Sequence, residues 1–121
     1  VEDEAAVREM ACMVLERIGY RVLTAANGPA ALEMRRQFTE PIPLLITDMI
    51  MPGGMTGLEL AECMRLETPE LKVLCTSGYS EALFRAQTDA IRFLQKPYHP
   101  QQLAEAVRAT LEGSHATEKD Q

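Results

Sequence analysis

The chain predicts an α/β fold built on a parallel sheet, and three observations carry that reading. Short apolar runs alternate with stretches whose apolar residues recur at steps of three and four, as strands alternate with amphipathic helices. The run Leu44-Leu45-Ile46-Thr47 is apolar without a break, as strands covered on both faces are. Pro and Gly punctuate most of the junctions. Such a sheet needs right-handed crossovers, with helices above and below it.

After Glu2-Asp3-Glu4, the residues Val7, Met10, Ala11, Val14, Leu15 and Ile18 mark one helical face, and Gly19 stops it. Residues 20–26 hold Val22, Leu23 and Thr24 and read as a strand. Asn27-Gly28-Pro29 turns the chain into a helix over 30–38, with Pro29 suited to a first helical position. Pro41 and Pro43 then precede the strand Leu44–Asp48, which Pro52, Gly53 and Gly54 follow. A helix is expected over Gly57–Glu67, a strand over 72–76 and a weakly patterned helix over 80–89. A strand over Ile91–Gln95 and an amphipathic helix from Pro100, with Leu103, Val107 and Leu111 on one side, complete the domain at 1–112. Residues 113–121 read as a polar tail. The leading helix calls for a strand before it, and Val1 reads as the last residue of that strand. The expected first strand therefore lies largely outside the chain.

At 121 residues the chain makes one domain. A formal charge of −6 argues against sequence-independent nucleic-acid binding, which wants a basic face. No apolar stretch approaches the roughly 20 residues of a membrane span. Cys12, Cys63 and Cys75 are widely spaced and odd in number, so buried free thiols and a cytoplasmic setting are expected. The methionines read as core filler, and His99 and His115 as exposed.

Function is read from the residues that end each strand, because open α/β sheets bind ligands at the carboxyl ends of their strands. Glu2-Asp3 follow the first expected strand, Asp48 the third, Ser77 the fourth and Lys96 the fifth. Carboxylates gathered this way repel, and a divalent cation relieves the repulsion. Oxygen ligands of this type suit Mg²⁺. An ammonium and a hydroxyl beside them suit a phosphoryl group.

Glu2-Asp3, Asp48 with Met51-Pro52, Ser77-Gly78 and Lys96-Pro97, in that order, resemble the receiver domains of two-component response regulators. The likeness runs from Val1 to about Leu111. The stretches around Met51 to Gly57, Thr76 to Tyr79 and Phe93 to Pro97 look most similar to receivers at the carboxyl end of hybrid histidine kinases. The resemblance implies a flavodoxin-like, doubly wound sheet of five parallel strands in the order 2-1-3-4-5.

It also implies roles. Asp48 accepts a phosphoryl group from a phosphohistidine on a histidine kinase or histidine phosphotransfer domain. Asp3 and Asp48, with the Ile50 carbonyl, bind Mg²⁺, and Glu2 acts through coordinated water. Ser77 and Lys96 meet the phosphoryl oxygens, and Phe93 takes the aromatic switch position. Such a domain is a signalling module that assists its own phosphorylation and dephosphorylation. It needs no nucleic acid or membrane, and homodimer formation stays open.

Blander readings stand beside these. Glu2-Asp3 also suit a helix N-terminus, Ser77-Gly78 a turn, and Phe93 a core position. Two rival functions are a Mg²⁺-dependent aspartyl-phosphate phosphohydrolase and a receiver-like interaction module that is never phosphorylated. Ile50, two residues beyond Asp48, is not the second acid such a hydrolase uses. Ile50 and Tyr79 are bulky and cannot orient an attacking water, so slow self-hydrolysis of the acyl phosphate is expected.

Overall fold

The computed structural model describes residues 1–51, 53–78 and 91–112. In chain order these form α1 (Ala5–Arg17), α2 (Gly28–Gln37), β1 (Leu44–Asp48), α3 (Gly57–Glu67), β2 (Lys72–Ser77), β3 (Ile91–Gln95) and α4 (Pro100–Glu112). The strands make one parallel sheet in the order β1-β2-β3. Leu45 pairs with Val73 and Asp48 with Thr76. Cys75 pairs with Phe93 and Ser77 with Gln95. The helix expected over 80–89 and the tail at 113–121 lie outside the described residues.

Alternation along the strands builds two cores. Leu45, Val73 and Cys75 face one way, onto Ala31 of α2 and Leu60, Ala61 and Met64 of α3. Leu74 faces the other way, onto Leu15 of α1 and Leu103 and Val107 of α4. Successive residues of β2 thus serve opposite layers, which is why Val73, Leu74 and Cys75 are apolar without a break. Each fully buried Leu or Val contributes about 1.5–3 kcal/mol.

The helix starts follow local chemistry. Thr56 caps α3 through a capping box with Glu59. The Asn27 side chain accepts a hydrogen bond from the Ala30 amide at 2.8 Å and starts α2 at Gly28, two residues earlier than the periodicity indicates. Gly19, at φ +106°, ends α1 in the left-handed region.

Three expectations need correction. Residues 20–26 form no strand. Between them and β1 lie Val1 and Glu2, held by three hydrogen bonds. The Val1 ammonium donates to the Ile46 carbonyl at 2.6 Å, the Asp48 amide to the Val1 carbonyl at 3.0 Å, and the Glu2 amide to the Ala25 carbonyl at 3.1 Å. These bonds set Val1 and Glu2 between residue 25 and β1, the neighbours that the expected order gives them. Among the described residues, positions 20–26 are bonded on that side only through the Glu2 amide to Ala25, and one bond makes no ladder. The described residues accordingly hold three strands of the parallel sheet. A cavity of about 360 Å³ is lined by residues of α1, residues 20–25 and β1, with Val1 and Glu2 among them.

Cys63 is exposed, because α3 turns Leu60, Ala61 and Met64 inward and leaves Cys63 on the opposite side. Met13 is exposed on α1 in the same way, whereas Met49, Met51 and Met64 are buried.

Candidate functional site

Asp48 closes β1 and is only 7% exposed. Its backbone is fixed from three sides. Its amide bonds Val1, the next amide, of Met49, donates to the Thr76 carbonyl at 2.7 Å, and the Gly57 amide donates to the Met49 carbonyl at 2.8 Å. The start of α3 therefore lies directly on the end of β1. A Cβ at Gly57 would sit 2.2 Å from the Asp48 carbonyl oxygen, so that close approach requires glycine.

The side chains converge at this edge. One carboxylate oxygen from each of Glu2, Asp3 and Asp48 lies within 4.8 Å of the others. The Lys96 ammonium donates to Glu2 Oε1 at 3.0 Å and to Asp48 Oδ2 at 3.3 Å. Glu2 is buried and Asp3 exposed. The Glu2 backbone is held in turn, its carbonyl accepting from Arg8 Nη1 at 2.8 Å.

Burial and the Glu2 charge push the Asp48 carboxyl above its ordinary range, and Lys96 only partly offsets them. Burial alone would lower the Lys96 ammonium, but its bond to Glu2 and the charge of Asp48 prevail and raise it. Tyr98, half-buried nearby, is also raised, first by burial and then by the Glu2 charge.

The remaining expected residues have definite positions. Ser77 ends β2, is buried, and its carbonyl accepts from the Lys96 amide at 2.7 Å. Phe93 is partly buried and packs against the α2/α3 core. Ile50 lies in the loop after Asp48 with its side chain 58% exposed. His99 is exposed. Tyr79 and His115 lie outside the described residues.

Sequence reasoning missed Thr76, whose Oγ1 lies 3.4 Å from Asp48 Oδ1. The strand register that sets Thr76 opposite Asp48 carries no local signal. It also missed Arg8, whose role depends on the fold bringing α1 back over Glu2.

Three carboxylates crowd one corner, and Lys96 neutralises only part of their charge. Hard oxygen donors at such spacing suit a small divalent cation, and Mg²⁺ fits.

The family model for the response regulator receiver domain matches residues 1–108. The chain belongs to that family. The receiver is 36% identical over 115 residues to the sensor kinase CckA of Brucella abortus (strain 2308), covering 93% of this chain and 12% of the kinase. It is 34% identical to the response regulator receiver protein CpdR of the same organism, covering 91% of this chain and 92% of that protein. Among solved structures, the receiver domain from the hybrid histidine kinase CckA superposes with a TM-score of 0.76 at 38% identity, covering 91% and 94% of the two chains. A response regulator receiver protein from Sinorhizobium medicae WSM419 superposes at 0.81 with 26% identity, covering 93% and 91%. The receiver thus spans nearly all of CpdR but only a small part of the sensor kinase, and similarity to both kinds of protein agrees with the hybrid-kinase likeness of its motifs. It is a receiver domain of two-component signalling, a pathway that implies a histidine kinase partner. Among the described residues, no helix is long and apolar enough to cross a membrane.

Proposed function

We propose that this receiver is a Mg²⁺-dependent phosphoacceptor whose acceptor atom is a carboxylate oxygen of Asp48. One observation carries the reading: Asp48, two further carboxylates and Lys96 share one corner at the carboxyl end of the sheet. In the transfer, the N–P bond of a partner's phosphohistidine breaks and an O–P bond to Asp48 forms, giving an acyl phosphate. The histidine nitrogen keeps the electron pair of the broken bond. Little is left for a general base to do, and the site works by positioning and charge neutralisation.

Glu2, Asp3, Asp48 and the Ile50 carbonyl would hold Mg²⁺, which supplies charge neutralisation for the incoming phosphoryl oxygens. Lys96 bridges Glu2 and Asp48 in the unphosphorylated domain. It is within reach of a phosphoryl group on Asp48 and would exchange a carboxylate contact for a phosphoryl one. The Ser77 hydroxyl would bond a second phosphoryl oxygen, and Phe93 would follow it inward. A two-state switch needs about 5.5 kcal/mol of differential stabilisation to move from 1:99 to 99:1. A few charge-assisted hydrogen bonds at about 1.5–3 kcal/mol each are sufficient.

The test is labelling by acetyl phosphate, followed by intact-mass measurement with and without Mg²⁺. Stable single phosphorylation is expected with Mg²⁺ and none in Asp48→Ala. Steady turnover of a small phosphoester would instead favour the phosphohydrolase. Absence of labelling under every condition would leave an unphosphorylated interaction module.

A further inference from the structure

The loop between Asp48 and α3 contains two successive left-handed glycines, Gly53 at φ +99° and Gly54 at φ +84°. They turn the chain back towards α2, where Met55 lies across the first residue of that helix. A Cβ at Gly28 would sit 2.5 Å from Met55 Sδ, 3.1 Å from its Cγ and 3.2 Å from its Cβ. Gly28 is buried, and its φ is not in the left-handed region. Glycine is therefore needed there for space and not for backbone conformation. Gly53 approaches the same step, where a Cβ added to it would lie 4.0 Å from the Asn27 Cβ. The far end of the loop is closed separately by the Gly57–Met49 hydrogen bond and the Thr56 capping box.

We infer that Met55, seated on Gly28, positions the loop that follows Asp48, making both of them positioning residues for the metal site. The inference rests on the proposed Mg²⁺ reading. Neither residue supplies a ligand atom. A methyl at position 28 would sit 2.5 Å from Met55 Sδ and crowd its Cγ and Cβ, so the Met55 side chain must leave its seat and the loop after Asp48 loses that hold. Residues standing behind metal ligands commonly change affinity by about tenfold or more.

The test is calorimetric titration of the full chain with MgCl₂, alongside thermal unfolding without metal. Gly28→Ala is expected to raise the Mg²⁺ dissociation constant by about tenfold, while metal-free unfolding changes little. Met55→Ala gives up the same seat and should weaken Mg²⁺ to a similar extent, and because it removes Sδ and Cγ the double variant should bind no more weakly than either single variant. Gly54→Ala strains the same turn at a point where an added methyl meets nothing within 4 Å. It should weaken Mg²⁺ in the same way, and it serves if Gly28→Ala does not fold. Wild-type affinity in Gly28→Ala or in Met55→Ala, or losses that add in the double variant, overturns the inference. Failure of the unaltered chain to bind Mg²⁺ overturns the functional reading beneath it, an outcome distinct from either.

Discussion

β1 has two flanks of very different construction. On one side it pairs with β2 along its whole length, from Leu44 with Lys72 to Asp48 with Thr76. On the other, among the described residues, it meets Val1 and Glu2, with residues 20–26 beyond them. The two flanking sequences look alike: Val73-Leu74-Cys75 and Val22-Leu23-Thr24 are equally β-prone. Yet Leu74 is 0% exposed and Leu23 is 43% exposed. Strand propensity describes how well a residue fits a pleated, half-buried surface, and, among the described residues, positions 20–26 are tied by hydrogen bonding towards β1 only through the Glu2–Ala25 bond.

The largest difference should appear in the cores. Leu74→Ala removes a fully buried side chain from the centre of the sheet and should cost about 2–5 kcal/mol. Leu23→Ala should stay within about 0.5 kcal/mol. Urea unfolding of the two variants measures both, and equal losses would show that the weakly bonded flank is as cohesive as the ladder.

The same contrast decides what could be read in advance. β1, α3 and β3 have the expected bounds, because period, apolar runs and Gly/Pro stops are all local signals. The acidic corner was legible too, since a strand end followed by Asp48 or Lys96 needs only chain order. Residues 20–26 failed because pairing depends on a second segment. Thr76 was missed because only register sets it against Asp48. The Gly28–Met55 contact was missed because it depends on how a loop and a helix meet. Cys63 was misjudged since a helical pattern alone did not say which side of α3 faces inward.

The proposed metal site straddles the two flanks, with Glu2 and Asp3 on the sparsely bonded side and Asp48 on the ladder. Mg²⁺ should therefore act as a cross-link. At a concentration 100 times its dissociation constant it should stabilise the fold by about 2.7 kcal/mol. Hydrogen exchange of the Glu2 amide, which bonds Ala25, should slow as well. Asp48→Asn should lose both effects. Stabilisation without slower exchange at Glu2 would mean that the ion leaves the weak flank unaltered.

Without metal, Asp48→Asn should have a smaller effect of opposite sign. An acid whose folded pKa lies above its ordinary 3.8 holds its proton more tightly when folded. Stability then falls as pH rises from 3.8 through the folded value, and the cost is fully present above it. Burial and Glu2 are the causes, so Asn should raise the urea midpoint at pH 7. The gain should shrink as pH falls and vanish below 3.8. A gain independent of pH would trace to something other than the charge.

Thr76 offers the finest probe of the ladder side. Its hydroxyl lies 3.4 Å from Asp48 Oδ1, beyond the usual hydroxyl–oxygen range of about 2.5–3.0 Å. A hydrogen bond to a charged group contributes about 1.5–3 kcal/mol at normal length, and one this long falls well below that range. Thr76→Val keeps the shape of a buried side chain and removes only the donor. It should cost about 0.5 kcal/mol at pH 7 and less below pH 3.8, where Asp48 is protonated and needs the donor less. Acetyl phosphate labelling should persist in this variant, since Thr76 has no role in the proposed transfer. Ser77→Ala should also keep labelling but lose the change in Phe93 packing that Thr76→Val preserves, read by aromatic NMR shifts on phosphorylation. If Thr76→Val abolishes that change and Ser77→Ala preserves it, the switch hydroxyl is Thr76, and the register of β2 against β1 selects the working residue.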